Sequence, residues 1–296
     1  MLESLYKNTV HINSLRASGY GAADFRIEVK PLYFKHSDMQ IPVPNRVVSY
    51  RPDTGAVLGV HSNRYNITEH IPVIEAIRSS VERSDVNARG IQETISVANK
   101  GARLIHKIVL PEHTIKTPDD DTAALSFLGI NSFDGSFPLI LSVGANQSAC
   151  QNGQVFTKDA AAMYKSRHTK GLDIDLGARI ISKGIEVMEK ESDLWHKWAK
   201  TSVNRSHMLS VIEDMLGIQD YTTTKSKAYA YILDQYENHY SPLMGDNYWA
   251  LYNAFTDWST HAPIRGNKSN VTLMRQKKVQ DVLNKFPYTN FHYYSA

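Results

Sequence analysis

The sequence lacks the features that form covalent cross-links or membrane anchors in many proteins. Cys150 is the only cysteine among 296 residues, which excludes an intrachain disulfide and a zinc site built from cysteines. A lone thiol is typical of a reducing compartment, and we expect a cytoplasmic protein. No run of 18 apolar residues occurs, so we also expect no membrane-spanning helix and no membrane partner.

The sequence also lacks a large excess of positive or negative charge. Lys and Arg number 33 and Asp and Glu number 30, which gives a formal net charge of +3. No run of five like charges occurs, and this excludes a basic tail. Residues 1–150 carry 15 charges of each sign, whereas residues 151–296 carry 18 positive and 15 negative charges. Attraction to a polyanion is therefore expected in the second half or in local patches.

The motifs that identify common nucleotide-dependent and metal-dependent enzymes are missing. The sequence contains no G-x-x-x-x-G-K-[ST], no G-x-G-x-x-G, no G-x-S-x-G and no H-E-x-x-H. A standard phosphate loop for ATP is therefore excluded, and we expect no cofactor. A non-catalytic protein is favoured, while an enzymatic activity stays open.

What is present is an ordinary globular composition, with 42% apolar and 21% charged residues in 33.4 kDa. Residues 46–50 and 56–61 are β-rich and flank the turn sequence Pro-Asp-Thr-Gly, which predicts a hairpin. Residues 68–83 carry Ile and Val at helical spacing and predict a helix with Thr68 as its N-cap.

Two further pairs of β-rich runs follow in the first half. Residues 91–98 and 103–110 are joined through Asn-Lys-Gly, and residues 123–130 and 137–143 are joined around Asp-Gly. Asp-Gly between apolar runs is a strong hairpin signal. The first half is therefore predicted to be an antiparallel β-sheet with one helix packed against it.

The second half changes to helical periodicity. Helices are predicted over residues 172–200, 206–216, 225–239, 247–258 and 271–286. Aromatic residues recur at helical spacing in the fourth of these, and we interpret them as core packing. The sequence thus predicts an α+β protein. An antiparallel sheet-plus-helix domain is expected at residues 1–150, with a mostly helical region at residues 151–296 packed on it.

A basic cluster at residues 165–170 is the first candidate site. Lys165, Arg167 and Lys170 supply three positive charges around His168. The start of the next predicted helix would add backbone N–H groups for an anion. Tyr164 lies beside the cluster and is placed to stack on a nucleic-acid base. Two interpretations stay open, a phosphate-binding patch and a solvated linker.

Arg103 and Lys107 form the second candidate. They lie four residues apart on a predicted strand and therefore share one of its faces. This face is interpreted either as a basic nucleic-acid surface or as the solvent side of a half-buried sheet.

Acidic and amide side chains provide an alternative metal site. Asn131 and Asp134 carry oxygen ligands of the kind that Mg²⁺ prefers, and Asp121 ends a run of three aspartates. A capped hairpin turn and a solvated loop explain the same residues without an ion, so we expect no metal.

Several segments together resemble the phage/plasmid-like protein family, known as domain of unknown function 932. The matching segments are residues 50–60 (Tyr-Arg-Pro-Asp-Thr-Gly-Ala-Val-Leu-Gly-Val), Arg64-Tyr65, residues 131–136 (Asn-Ser-Phe-Asp-Gly-Ser), residues 167–169 (Arg-His-Thr), residues 252–258 (Tyr-Asn-Ala-Phe-Thr-Asp-Trp) and His261. Residues 145–149 match the Cys-x-Asn-(Thr/Ser)-Leu-like segment of the family only in part.

The resemblance implies a role in phage or plasmid DNA metabolism in a bacterial host cytoplasm. The family is similar, at the level of fold alone, to single-strand annealing recombinases of the Red beta, Erf and Sak type, which need no ATP. We therefore expect a phage-encoded single-stranded DNA-binding protein that acts in annealing, recombination or replication. The residues expected to contact DNA are Tyr164, Lys165, Arg167, His168, Lys170, Arg103 and Lys107.

Two other functions stay open. One is a metal-dependent enzyme acting on nucleic acid or nucleotides through residues such as Asp134, Asn131, His168 and Asp121. The other is a non-catalytic host-takeover protein that binds a bacterial partner. The expected partners are single-stranded DNA, further copies of the chain, and replication proteins of the host or the phage.

Overall fold

The computed structural model describes residues 12–84, 86–119, 122–147, 163–182, 184–218, 226–265 and 268–288. Asp121 and Cys150 lie outside these ranges, as does part of the partially matching segment at 145–149. Within the described residues no helix has the length and apolar character needed to cross a membrane.

The chain divides into two compact units. The first is built from Met1–His113, Ser126–Val143 and Ala161–Gly184. The second is built from Thr114–Leu125, Gly144–Ala160 and Ile185–Ala296.

The strands form two antiparallel sheets, one of three strands in the order β1-β2-β3 and one of five strands in the order β4-β5-β6-β7-β8. Their bounds are β1 Glu28–His36, β2 Met39–Tyr50, β3 Val57–Ser62, β4 Gln92–Ala98, β5 Arg103–Lys116, β6 Thr122–Ser132, β7 Leu139–Gln147 and β8 Met163–Ser166. Strands dominate the first half of the chain and helices dominate the second, which confirms the predicted α+β class.

Most helices follow β8. Their bounds are α1 His70–Arg83, α2 Ile174–Ser182, α3 Gly184–Ala199, α4 Arg205–Leu216, α5 Lys227–Gln235, α6 Ser241–Met244, α7 Tyr248–Thr260 and α8 Lys268–Val282, with a π-helical turn at Tyr236–Tyr240 between α5 and α6. Residues 12–17 are also helical. The single helix predicted over residues 172–200 is wrong in extent, because two helices, α2 and α3, occupy this stretch.

The hairpin predicted around the Pro-Asp-Thr-Gly turn is confirmed. Arg46 pairs with Ser62 at one end of the β2–β3 ladder and Tyr50 pairs with Val57 at the other. Gly55 takes a left-handed conformation with φ of 69°, which glycine adopts at little cost. Strand β1 and the first part of β2 were not predicted from the sequence, because prolines interrupt both segments and are unfavourable within a strand.

Helix α1 covers the five-stranded sheet of the first unit. Of the positions predicted to face the core, Ile74, Ile77 and Val81 are buried and Ile71 is half-buried, and Val73 is buried beside them. Gly129 on β6 lies directly beneath them, because a Cβ there would come within 3.3 Å of Val73 and Ile77. The N-cap prediction is wrong by one residue. The N-cap is Glu69, and Thr68 precedes it with its carbonyl oxygen bound by another side chain.

A buried ion network stabilises the first unit. Arg78 is fully buried and donates two hydrogen bonds to Glu93, at 2.9 and 2.8 Å, and a third to Glu75 at 3.0 Å. His106 lies 2.7 Å from the same Glu93 carboxylate. Burial raises the pKa of Glu93, but the hydrogen bonds from His106 and Arg78 outweigh this effect and lower it to about 2. The carboxylate is therefore ionised at neutral pH.

The second unit contains a core of stacked aromatic rings. Trp249 on α7 stacks on Tyr252 with ring centroids 5.4 Å apart, and Trp195 and Trp198 on α3 pack against the same pair. The predicted aromatic stripe is confirmed as core packing, because four of its five members, Trp249, Tyr252, Phe255 and Trp258, are buried, while Tyr248 is half-buried.

Candidate nucleic-acid interface

The first unit carries an open groove with a volume of about 640 Å³. Three separate segments of the chain form its walls. Its lining residues are Ser62, Arg64, Tyr65, Gly135, Phe137, Pro138, Lys165, Arg167, His168 and Thr169. We call this the basic groove.

Hydrogen bonds hold the three segments together. The amide of Asn66 donates to the carbonyl of His168 at 3.0 Å, which ties the chain after β3 to the chain after β8. The hydroxyl of Tyr65 donates to the carbonyl of Ser132 at 3.0 Å, which adds the end of β6. The groove is therefore assembled from strand ends and is fixed by backbone contacts.

A stack of three aromatic rings contributes two of them, Tyr65 and His168, to the lining of the groove. The rings of His61 and Tyr65 lie 4.2 Å apart and 14° from parallel, and those of Tyr65 and His168 lie 5.1 Å apart and 30° from parallel. His61 is fixed further by a 3.1 Å hydrogen bond with Ser49 on β2. Gly59 makes room for the stack, because a Cβ there would lie 2.6 Å from the His61 ring and would collide with the carbonyl of Phe133.

Both histidines of the stack are neutral at physiological pH. Burial lowers the pKa of His61, and the nearby Asp134 carboxylate offsets part of this effect. Burial also lowers the pKa of His168, which is 5% exposed. The backbone of Phe137 counters part of that shift without meeting the geometry of a hydrogen bond. Among the described residues, neither ring nitrogen of His168 has a hydrogen-bond partner.

Cationic side chains stand around the stack. Arg64, Lys165 and Arg167 are exposed and line the basic groove. Within the described part of the chain, none of the three forms an ion pair with a carboxylate. Three cations with no carboxylate partner beside a buried histidine make a site suited to an anion such as a phosphate.

The residues of the predicted basic cluster do not all reach the groove. Lys165, Arg167 and His168 line it, whereas Lys170 is exposed outside it. Tyr164 points to the opposite face of β8. A Cβ on Gly177 of α2 would lie 2.6 Å from the Tyr164 ring, and the Tyr164 hydroxyl accepts a hydrogen bond from an amide just before α2. Tyr164 therefore anchors a helix and is not placed to stack on a base in this groove.

The Asn-Ser-Phe-Asp-Gly-Ser segment shapes one wall. Asp134 accepts hydrogen bonds from Arg103 at 2.5 Å, from Asn99 at 3.0 Å and from the amide of Ser136 at 3.0 Å. The hydroxyl of Ser132 spans the same turn, because it donates to the carbonyl of Phe137 at 2.8 Å. These bonds bring Phe137 to the groove.

Asn131 at the start of that segment binds within the core. Its side-chain amide donates to the carbonyl of Thr68 at 2.7 Å and to Nδ1 of His70 at 3.1 Å. His70 therefore carries its proton on Nε2, which donates to the carbonyl of Gly101 at 2.9 Å. Asn131 and Asp134 thus have separate partners. Among the described residues, no group of three or more His, Cys, Asp or Glu side chains is arranged to hold a metal ion.

Arg103 and Lys107 share one face of β5, as predicted, with Leu104, His106 and Ile108 buried on the other face. Arg103 is committed to its ion pair with Asp134. Burial lowers the pKa of Lys107 to about 8, so part of its charge is lost in weakly basic solution. Neither residue lines the basic groove.

Sequence reasoning identified three of the residues that line the groove, Lys165, Arg167 and His168, and missed the other seven, namely Ser62, Arg64, Tyr65, Gly135, Phe137, Pro138 and Thr169. Arg64 and Tyr65 formed part of the family resemblance, but nothing in their spacing indicated that they would meet residues a hundred positions later. A hydrogen bond from Asn66 to the segment after β8 produces this meeting, and it has no local sequence signal.

Comparison with protein families gives one result. Residues 57–283 match the family described as Domain of unknown function (DUF932). The chain belongs to this family. Comparison with curated proteins and with solved structures found no match.

The DUF932 match covers every residue that lines the basic groove. It also covers all elements from β3 to α8. Strands β1 and β2 precede the matched residues. The basic groove is therefore part of the DUF932 match.

Proposed function

We propose that this protein binds single-stranded DNA in the basic groove and promotes annealing of complementary strands without nucleotide hydrolysis. One observation carries the proposal. Arg64, Lys165 and Arg167, which form no ion pair with a carboxylate among the described residues, line one groove together with the stacked rings of Tyr65 and His168.

This combination is what binding of single strands without sequence preference requires. A positive groove follows the sugar-phosphate backbone, and aromatic faces accept bases that are free of a complementary strand. Phe137 is half-buried and lines the groove, and it is the residue best placed to receive a base.

Annealing fits the remaining features of the chain. Annealing requires that two DNA strands are held extended and that the repulsion between their phosphates is neutralised. It requires no ATP, which agrees with the lack of a standard phosphate loop in the sequence. A phage origin and kinship with the Red beta, Erf and Sak recombinases belong to this proposal, and they rest on family resemblance and analogy of fold.

The test is fluorescence anisotropy with labelled single-stranded and double-stranded oligonucleotides across a salt series. We expect tighter binding of single strands. The variant Arg64→Gln/Lys165→Gln/Arg167→Gln should flatten the slope of log affinity against log salt by about 2, because each lost phosphate contact removes about 0.7. A matched control is Lys227→Gln/Lys277→Gln/Lys278→Gln, which removes three exposed cations of the second unit. The proposal fails if the two variants behave alike, or if no oligonucleotide binds.

The same assay distinguishes the metal-dependent alternative. Binding that survives EDTA, with no product released from labelled DNA or nucleotides, supports the annealing function. Turnover that appears only with a divalent metal ion supports the enzyme and overturns the proposal.

A further inference from the structure

Phe137 is the one aromatic side chain lining the basic groove that takes part in no ring stack within the described residues. Tyr65 is already stacked on two imidazole rings, those of His61 and His168. His168 is 5% exposed, so its ring offers little surface for stacking. Phe137 is half-buried, which leaves part of its side chain open to the groove. A base that enters the groove therefore has Phe137 as its stacking partner.

The backbone of Phe137 is fixed by a buried hydroxyl. Ser132 donates from this hydroxyl to the carbonyl of Phe137 at 2.8 Å, and the same oxygen accepts a hydrogen bond from the amide of Phe137 at 3.0 Å. Ser132 is fully buried, and its own carbonyl accepts the hydroxyl of Tyr65 at 3.0 Å. The positions of both residues, Tyr65 and Phe137, therefore depend on one serine of the core.

The ring of Phe137 is held from one side by a guanidinium group. The Cζ atom of Arg103 lies over this ring, 5.7 Å from its centroid, which is the geometry of a cation–π contact. Arg103 does not line the basic groove, whereas Phe137 does. The guanidinium therefore covers a part of the ring that a ligand in the groove does not use, and it limits the motion of the rest.

Asp134 fixes the guanidinium in that place. Its carboxylate accepts a hydrogen bond from Nε of Arg103 at 2.5 Å, and Asn99 and the amide of Ser136 each donate to it at 3.0 Å. Burial raises the pKa of Asp134, but the hydrogen bonds from Ser136, Arg103 and Asn99 outweigh this effect and lower it. The carboxylate is therefore ionised at neutral pH and keeps its ion pair with Arg103.

We propose that Phe137 is a stacking platform for one unpaired nucleobase in each copy, and that Arg103, held by Asp134, is a positioning residue for its ring. This inference rests on the proposed function and adds to it the place where a base binds. An aromatic face accepts every base, so the platform gives no sequence preference. A base inside a duplex is stacked on its neighbours and cannot reach the platform. Preference for single strands therefore depends on Phe137, whereas the salt dependence of binding depends on the cations of the groove.

The experiment compares a thymidine strand of about eight nucleotides with an abasic strand of equal length, which keeps the phosphates and lacks the bases. Fluorescence anisotropy measures the affinity for each strand. The test variant is Phe137→Leu, which removes the ring and keeps an apolar side chain. The control is Phe34→Leu, which changes an exposed phenylalanine of β1 outside the groove. Circular dichroism checks that both variants fold.

We expect wild type and Phe34→Leu to bind the thymidine strand roughly tenfold more tightly than the abasic strand, because stacking of one base on a ring contributes about this factor. Phe137→Leu should bind both strands as wild type binds the abasic strand. Its slope of log affinity against log salt should equal that of wild type, since no phosphate contact is lost. If Phe137→Leu weakens binding of both strands alike, the ring has a structural role only and the proposal is overturned.

Phe137→Trp provides a spectroscopic measurement of the same contact. The four native tryptophans all belong to the second unit, so the emission of wild type serves as the blank. The fluorescence of the added tryptophan should be quenched by the thymidine strand and not by the abasic strand. The variant should also keep the wild-type preference for the thymidine strand, because an indole stacks on a base as a phenyl ring does. Equal quenching by the two strands would contradict stacking at this position.

Arg103→Gln tests the positioning role. Its control is Arg205→Gln, because Arg205 also pairs with a carboxylate, that of Glu237, in the second unit. We expect Arg103→Gln to bind the thymidine strand more weakly and the abasic strand as wild type does. Added to Phe137→Leu, it should cause no further loss, as expected of a residue that acts through the ring. Weaker binding of the abasic strand with a flatter salt slope would show that Arg103 contacts a phosphate instead.

The outcomes separate this inference from the function on which it rests. A wild type that binds the two strands equally keeps the basic groove as a DNA-binding site and overturns the platform. A wild type that binds neither strand refutes DNA binding itself, and the platform fails with it.

Discussion

The imidazole ring of His168 stacks on the phenol ring of Tyr65, with ring centroids 5.1 Å apart. The same imidazole has two ring nitrogens without hydrogen-bond partners among the described residues. A buried polar atom without a partner carries a free-energy cost, which a bound ligand can remove. The pair therefore combines a structural role, the stacking, with two buried nitrogens whose free-energy cost no hydrogen bond offsets among the described residues.

A phenylalanine at position 168 separates these two roles. His168→Phe keeps an aromatic ring on Tyr65 and removes both nitrogens, so we expect a melting temperature close to that of wild type. If a nitrogen binds DNA, the affinity for single strands should fall about tenfold, the equivalent of one hydrogen bond of about 1.4 kcal/mol. The companion variant His168→Ala should lower both the melting temperature and the affinity for single strands. Unchanged affinity in His168→Phe would limit His168 to packing.

Gly59 lies on β3, two residues before His61, and controls the position of the stack. Gly59→Ala places a methyl group against the carbonyl of Phe133 and the ring of His61, and neither can move freely. We expect a loss of roughly 1–3 kcal/mol in the free energy of unfolding, as overpacking typically produces. Weaker binding of single strands should accompany it, because the rings shift.

Gly171→Ala is the control for this substitution. It lies two residues from the groove, and no heavy atom would come within 4 Å of a Cβ there. Its free energy of unfolding in urea should therefore match or slightly exceed that of wild type. Equal stability of the two alanine variants would contradict the packing described around Gly59.

Local signals in the sequence were sufficient to predict much of the fold. The Pro-Asp-Thr-Gly turn marked the β2–β3 hairpin because proline and glycine fix particular backbone angles. Helix α1 was recognisable because Ile71, Ile74, Ile77 and Val81 recur at helical spacing, and the last three of them are buried. Strand β1 has no such signal, since nearly all its residues are exposed and no alternation of burial marks it.

The basic groove could be predicted only in part, for a physical reason. Lys165, Arg167 and His168 are close in sequence, and their charge density was visible there. Arg64 and Phe137 join them through strand pairing and backbone hydrogen bonds between distant segments. Tyr164, which the sequence placed with this cluster, lies outside the groove because the alternation of β8 turns it toward α2 while Lys165 turns toward the groove.

The burial of His70 predicts a loss of stability in acid. Burial lowers the pKa of His70 to about 4, and its hydrogen bond to the carbonyl of Gly101 offsets part of this effect. The unfolded chain takes up a proton below its ordinary pKa of 6.5, whereas the folded chain does so only near 4. The stabilisation that comes from keeping His70 neutral is therefore fully present above pH 6.5, and it is lost as the pH falls toward 4. His70 should contribute roughly 3 kcal/mol to this loss.

His70→Phe measures that contribution. The variant keeps the ring stacked on Phe133 and leaves Gly101 and Asn131 without a hydrogen-bond partner on residue 70, so it should be less stable than wild type at pH 7. The difference in unfolding free energy should shrink as the pH falls from 6.5 to 4, because the variant cannot titrate there. His239 is exposed, and His239→Gln should follow the wild-type curve throughout. A constant difference for His70→Phe would show that His70 does not titrate in this range.

Glu93 predicts a second, more acidic transition. Its pKa is lowered from 4.5 to about 2, because the hydrogen bonds from His106 and Arg78 outweigh the effect of burial. Because its pKa is lowered, the ionised Glu93 carboxylate stabilises the fold above pH 4.5. This contribution to the free energy of unfolding is lost as the pH falls from 4.5 toward 2. At neutral pH, Glu93→Gln leaves the fully buried Arg78 with Glu75 as its remaining carboxylate partner among the described residues. We expect a loss of roughly 3–5 kcal/mol, as for other broken buried pairs.

The pH dependence of this loss identifies its cause. A protonated Glu93 resembles glutamine, so the unfolding free energies of wild type and Glu93→Gln should converge by roughly 3 kcal/mol between pH 4.5 and pH 2. Glu28→Gln removes an exposed carboxylate near Lys30 and should cost less than about 1 kcal/mol at any pH. Urea unfolding followed by circular dichroism provides all three curves. If the curves of wild type and Glu93→Gln run parallel down to pH 2, then Glu93 is not held ionised by Arg78 and His106. The buried network would then stabilise the unit through hydrogen bonds and packing alone.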